Sequence, residues 1–529
     1  MRRWTALLLV AVVAAACGTG AVTSSQASGP LAPTGPSTGT AAILLGAPTS
    51  LDPAAVGDAG SAAVIAQLFE TLTTFDAQRV LRPALADSWT VESGGTRVVF
   101  HLRPSLRFSD GSPLKASDVV RSWLRLIDPA HPSPLASLML PVRGAADRLR
   151  GAADPSSVGL IANDGTGEVT VELVRPASDF VDIVSSPSFA VVPPGIDTGS
   201  GLDPGDAFVA SGGYRLIESV ADHLTLDANP DYWAGTPAIR EIRVVTDLGG
   251  RSPVEAFQAG TLDYASIGEA DATWVAYDQT LGPQLRQVPS LSTDYYGFDT
   301  TRPPFDDVRV RQAFAQAVDW RRIARLASSD PASVATSMVP PGVPGRSATG
   351  FVPLHDPAGA RALLASAGYP GGAGFPAVTI ASAGGPYDEA VIGEIKRELG
   401  VTVRSETMGF TDFFGRLDTD PPAMWFLSWI ADYPGRNDFL GVLLASGSPS
   451  DYGRWKSAGF DTAIADALAS SDAASAGQAF DRAESIVQHD APVIPVSYGG
   501  GWALGRNGLL GATENGLGFI RAAGLAWAP

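Results

Sequence analysis

From Ala41 to the C-terminus, stretches of helical period alternate with stretches of strand period, which confines the chain to mixed α/β architectures. Val64, Ile65, Leu68, Phe69 and Leu72 fall on one helical face within Ser61 to Leu72. Val98, Phe100 and Leu102 instead alternate with Arg97 and His101, and Val169, Val171 and Leu173 alternate with Glu168, Thr170 and Glu172, which predicts strands. Asp356-Pro357 combines an N-cap with a proline at the first helical position. Ala360, Leu363 and Leu364 follow, and Gly368 supplies the stop. Asp307, with Val310, Phe314, Ala317 and Val318, predicts a second helix of that kind. A chain of 529 residues has room for two to four such domains.

The N-terminus is of another character. Arg2 and Arg3 precede an apolar run of about ten residues, Trp4 to Val13, too short to span a bilayer and typical of a secretory signal. It ends Ala14-Ala15-Ala16-Cys17, which resembles a bacterial lipobox, and Cys17 is the only cysteine. Residues 1–16 are therefore expected to be a signal peptide and Cys17 the site of lipidation. Residues 17–40, rich in Gly, Ser, Thr, Ala and Pro, are expected to form a flexible, lipid-anchored linker, because such a stretch has too little apolar surface to fold.

Several functions are disfavoured at this level. The net charge of −18 and the lack of a basic run argue against a nucleic-acid partner. None of the three lysines, Lys115, Lys396 and Lys456, follows a glycine, so a P-loop cannot be built. One cysteine excludes a disulfide framework, and the five scattered histidines give a metal centre little support. Ser112-Pro113-Leu114-Lys115 matches Ser-x-x-Lys, but Gly111 and Pro113 mark a turn and no Lys-Thr-Gly partner exists, so no enzyme and no cofactor are expected.

An ordered set of segments carries more. Leu51-Asp52-Pro53, Gln67-Leu68-Phe69-Glu70-Thr71-Leu72, Phe108-Ser109-Asp110-Gly111 and Ala116-Ser117-Asp118-Val119-Val120 stand in the first third. Gly213-Tyr214-Arg215-Leu216, Asn229-Pro230-Asp231-Tyr232-Trp233 and Phe257-Gln258-Ala259-Gly260 follow, then Pro304-Phe305-Asp306-Asp307-Val308-Arg309 and Ala491-Pro492-Val493-Ile494-Pro495. Together they resemble the family 5 extracytoplasmic solute-binding proteins of peptide- and nickel-type ABC importers.

The resemblance implies a two-lobe α/β fold of the periplasmic-binding-protein type, with a hinge and an extra domain inserted in the first lobe. The first lobe would comprise residues 41–75, 208–296 and 498–529, the inserted domain 76–207 and the second lobe 297–497. The hinge is expected near Tyr296-Gly297-Phe298 and Val496-Ser497-Tyr498. The implied function is capture of a short peptide between the lobes and delivery to membrane permease subunits driven by separate ATPases. The protein would be a monomer held to the outer face of the cell membrane by its lipid. A nickel chelate, haem, an opine or a saccharide is the alternative ligand, and a cell-envelope adhesion or signalling lipoprotein the alternative class.

Family likeness also suggests site residues. In Ser428-Trp429-Ile430-Ala431-Asp432, Asp432 falls where peptide-binding members carry the acid that pairs with the ligand α-amino group, with Trp429 lining the cleft. A desolvated ammonium needs such a partner, and the charge-assisted bond contributes about 1.5 to 3 kcal/mol. Tyr295 and Tyr296 lie on an expected strand into the cleft floor, where alternation would turn one of them to the ligand. Thr49 and Ser50 precede Leu51-Asp52-Pro53 in a segment that approaches ligand in the family. For a ligand carboxylate, Arg404, Arg416, Arg436 and Arg454 are available and no signal selects one.

Overall fold

The computed structural model describes residues 39–196, 208–326, 330, 333–470, 472–518 and 520–529. The signal segment, Cys17 and all but the end of the linker lie outside the described residues.

Ten strands form one mixed sheet: β1 (Thr40–Leu44), β2 (Tyr214–Ser219), β3 (His223–Ala228), β4 (Glu241–Val245), β5 (Tyr264–Ile267), β6 (Leu285–Phe298), β7 (Val378–Ser382), β8 (Val403–Thr407), β9 (Met424–Ile430) and β10 (Val493–Gly505). Their spatial order is β8-β7-β9-β6-β10-β5-β1-β4-β3-β2. The long antiparallel strands β6 and β10 thus stand between a first-lobe half and a second-lobe half. Their ladder is interrupted: Pro289 pairs with Gly500 and Thr293 with Tyr498, and the register slips between them. Gly499 sits at this gap, where a Cβ would lie 1.9 Å from the Ser292 Oγ, so no larger residue fits without movement. The expected crossings at residues 296–298 and 496–498 fall within or beside the paired stretch on the second-lobe side, and the interruption lies earlier on β6, at residues 290–292.

The inserted segment folds around its own four-stranded antiparallel sheet, in spatial order Ala86–Glu92, Arg97–Leu102, Glu168–Glu172 and Leu160–Asn163. Its core is built on Trp123, Phe100, Phe180 and Phe189, all buried. Asp52, in the predicted Leu-Asp-Pro turn, joins it to the first lobe: one carboxylate oxygen accepts from the Ala54 amide at 2.9 Å and the other meets Arg125 at 2.6 Å, both side chains buried.

The helices that matter below are α1 (Ala59–Leu68), α2 (Ala116–Leu126), α3 (Val308–Ala317), α4 (Pro357–Ser366) and α5 (Phe410–Thr419). Both predicted caps are in place, with Asp307 accepting from the Arg309 amide and Asp356 from Gly359; Asp58, which sequence reading passed over, caps α1 by accepting from the Ser61 amide. Helix α1 stops four residues short of the predicted Leu72. Residues 68–70 are taken up by pairing with distant chain: the Leu68 carbonyl accepts from Gly212, the Glu70 amide donates to Ser211 and the Glu70 carbonyl accepts from Val191.

The segments that carried the family likeness prove largely to be ties. Gln67 donates to the Ile520 carbonyl and accepts from the Ala522 amide, fastening the C-terminal segment to α1. Asn229 donates to the Gly212 carbonyl at 2.9 Å. Ser112 donates to Asp110, and the Lys115 amide donates to Asp118 at the start of α2, so the Ser-x-x-Lys match is a turn and a helix cap.

Candidate ligand-binding cleft

Between the lobes lies a cavity of about 560 Å³. Residues 56–59 and Ala62 reach it from the first lobe, with Leu517 of the C-terminal segment. Leu135, Ser186 and Pro187 come from the segment that carries the four-stranded sheet, and α5 and the end of β9 from the half of the molecule on the β9 side of β6. Contributions from every part of the molecule, and a size within the roughly 300 to 1,000 Å³ typical of small-ligand sites, make it the candidate site.

Two carboxylates line it from opposite lobes, and they differ in how far they are committed. Asp58 is spent on its own helix: it accepts from the Ser61 amide and hydroxyl at 2.8 and 2.7 Å and from the Thr49 hydroxyl at 2.5 Å. Burial works to raise its pKa, but these hydrogen bonds outweigh it and hold the carboxyl below its ordinary range. Asp432, half-buried at the end of β9, accepts no hydrogen bond among the described residues; only its backbone amide is engaged, donating to Asp438 at 3.3 Å. Burial alone pushes its carboxyl up to about 7.

Behind Asp432 stands a second acid that sequence reading missed. Asp438 is fully buried, accepts from the Trp429 indole at 3.0 Å through Oδ2, and leaves Oδ1 without a partner. Burial, and then the neighbouring Asp432 charge, push its pKa well above the usual carboxylate range. A third acid, Asp179 of the inserted domain, accepts from the Tyr433 hydroxyl at 2.6 Å and the Asn437 amide at 2.9 Å; its Oδ1 is also unpartnered. Burial raises its pKa, with those two bonds working against the rise. Asp182 is raised to about 8 by burial and by Asp179. The Tyr433–Asp179–Asn437 link ties the segment around the four-stranded sheet to the chain that follows β9. Nothing in the local spacing distinguished these acids from solvated ones, since Asp179 and Tyr433 are 254 positions apart.

The other expected contacts fall elsewhere. Trp429 does not line the cavity; its indole orients Asp438 behind the wall. Tyr295 and Tyr296 do point to opposite faces of β6, but the second lobe covers both faces. Tyr295 packs with Trp425 and Phe439 in one core, and Tyr296 packs with Phe426 and Trp320 in another, its hydroxyl donating to Asp388 at 2.8 Å. Neither ring reaches the cavity. Thr49 and Ser50 do not line the cavity either and serve as scaffold behind Asp58: both amides donate to the Ser61 hydroxyl, and the Thr49 hydroxyl donates to Asp58. Arg436 is buried on Asp481 and Glu484, Arg416 pairs with Glu406, Arg454 donates to the Thr419 carbonyl and Arg404 is exposed on the edge strand β8, so none of the four lines the cleft.

What the sequence reading also missed is the aromatic wall. Phe410, Phe413 and Phe414 project from α5 at positions i, i+3 and i+4, a signal present in the sequence. Phe410 and Phe414 lie 4.7 Å apart between ring centroids, and Phe413 and Phe414 5.6 Å. A smaller cavity of about 410 Å³ flanks the ladder gap, where Asp294 is satisfied by Ser497 at 2.7 Å.

A model of the bacterial extracellular solute-binding proteins, family 5, matches residues 80–451. The chain is 32% identical over 474 residues to the probable deoxycholate-binding periplasmic protein YgiS of Escherichia coli, spanning 85% of this chain and 86% of the relative. To the periplasmic oligopeptide-binding protein OppA of Escherichia coli it is 27% identical over 469 residues, 85% of each. Among solved structures it resembles the murein tripeptide binding protein MppA of Escherichia coli, with a TM-score of 0.79, 24% identity and coverage of 93% and 98%. It also resembles OppA of Haemophilus influenzae in complex with RPPGFSPFR, with a TM-score of 0.77, 23% identity and coverage of 93% and 99%. These two structural likenesses show the shared two-lobe fold.

Proposed function

Since the chain belongs to the bacterial extracellular solute-binding proteins of family 5, we propose that it captures short peptides in the interlobe cleft and hands them to the permease of an ABC importer. Asp432 would take the ligand ammonium. The observation that carries this reading is the unengaged Asp432 carboxylate, half-buried on the wall of a cavity to which all parts of the molecule contribute. A carboxylate in that position is unfavourable until a cation joins it, so the cost of desolvating it is recovered only when ligand is bound. Closure would bring the lobes together about the interrupted β6–β10 ladder, with the first lobe, inserted domain and second lobe divided as the family likeness implies. The mature protein would be a monomer on the outer face of the membrane, anchored through Cys17, without catalysis.

A second reading has one observation in its favour. The phenylalanine wall, with the 32% identity to the probable deoxycholate-binding protein, suits an apolar steroid. Its anionic head is the difficulty, because it would meet Asp432 and Asp58.

Mass spectrometry of solute released by denaturing the purified protein, with thermal shifts for di- to penta-peptides and deoxycholate, separates the two. Bound ligand raises the melting temperature by mass action. Shifts from free-amine peptides that vanish on N-acetylation support capture through Asp432. A deoxycholate shift with no peptide shift overturns it.

A further inference from the structure

The cavity contains a statement about the rest of the ligand, beyond its amine. Phe410 and Ile430 on its wall are 65% and 46% exposed, although both are large and apolar. Leu135 of the inserted domain and Leu517 of the first lobe line the cavity with them. Apolar side chains from every part of the molecule converge on this open-mouthed cavity, and the exposed Phe410 and Ile430 among them form a surface that an apolar guest would cover favourably.

Charge gives the second constraint. Among the described residues lining the cavity, none is Lys, Arg or His, while two are aspartates. The four second-lobe arginines that could have met a ligand carboxylate are committed or exposed elsewhere. A carboxylate carried into this space would be desolvated next to like charge with no cation to receive it.

Resting on the reading of Asp432 as the ammonium's partner, we infer that the cleft selects a monocationic amphiphile. Its features are one ammonium, a bulky apolar group close to it, and a far end that is neutral or left in water. Among peptides, those with apolar leading residues are preferred, and a C-terminal amide is accepted at least as well as a free acid.

Isothermal titration of the full chain with four probes tests this: Phe-Leu amide, Phe-Leu free acid, Ser-Gly amide and N-acetyl-Phe-Leu amide. The expected order places Phe-Leu amide first, the acid equal or weaker, and Ser-Gly amide weaker by about tenfold or more. Phe410→Ser, at a position exposed enough to spare the fold, narrows the Phe-Leu to Ser-Gly ratio while its melting temperature stays unchanged. If acetylation abolishes binding yet the free acid binds tenfold tighter than the amide, or Ser-Gly matches Phe-Leu, the inference falls while the amine reading survives. If acetylation leaves binding intact, the amine reading falls and takes the inference with it.

Discussion

Two buried acidic centres in this protein are built on opposite plans. In the first lobe, Glu70 is buried and fully served: Arg521 donates to both of its oxygens at 2.7 Å and the Tyr232 hydroxyl adds a bond at 2.6 Å. Across the cleft, Asp432, Asp438 and Asp179 gather with no salt bridge to any of them among the described residues; Asp438 and Asp179 each keep an unpartnered oxygen, and the Asp432 carboxylate accepts no hydrogen bond. The first arrangement holds the C-terminal segment against α1 and needs nothing further. The second is electrostatically incomplete, and incompleteness at the wall of a cavity is what a binding site for a cation requires.

Breaking the complete centre should have the largest effect. Arg521→Met leaves Glu70 buried without its cation and is expected to destabilise the fold by about 3 to 5 kcal/mol, read as a large drop in melting temperature of the empty protein. A variant that melts like the parent would mean that Tyr232 alone suffices.

The incomplete centre should respond in the opposite sense. Asp432→Asn removes an unfavourable buried charge, so the empty protein should melt no lower than the parent. Affinity for a free-amine peptide should fall by the equivalent of about 1.5 to 3 kcal/mol. Titration calorimetry alongside a melting curve reads both; a loss of stability together with affinity would make Asp432 an ordinary structural acid.

The pH dependence sharpens the contrast. Asp432 has its carboxyl raised to about 7 in the fold, above the unfolded value near 3.8, so protonation favours the folded state. Its contribution to stability is fully present below pH ~4 and is lost as pH rises through ~7. The empty protein should therefore lose melting temperature between pH ~4 and ~7, while affinity for an ammonium ligand rises over the same range as the carboxylate forms. Affinity that is flat across that window would exclude Asp432 as the partner.

The smallest effect is expected at Asp438. Asp438→Asn keeps an oxygen for the Trp429 indole and removes the cost of holding this carboxyl protonated near neutral pH, and should raise the melting temperature of the empty protein by about one degree, equivalent to about 1 kcal/mol. A fall would show that the ionised form is needed where it stands.

The residues that made the chain recognisable are mostly those that hold it together. Asp52 anchors Arg125, Gln67 fastens the C-terminal segment and Glu70 receives Arg521, so the segments around them are legible because their ties demand particular side chains. The wall of the cleft was much less legible. Asp432, reached through family likeness, lies on that wall, but Trp429 turns to Asp438, and Tyr295 and Tyr296, one of which alternation would turn to the ligand, both pack into cores. Phe410 and Phe414 carried a visible helical spacing, yet the same spacing marks any buried helix face.

By itself the sequence determined the alternation of helices and strands and the caps at Asp307 and Asp356, because these depend on spacings of one to four residues. Only the tertiary structure decided which acids are neutralised and which are left open. Glu70 meets Arg521 from 451 positions away and Asp179 meets Tyr433 from 254, and both faces of β6 are covered by segments remote from it. Burial and charge pairing arise from contacts between distant parts of the chain, and local periodicity carries no record of them.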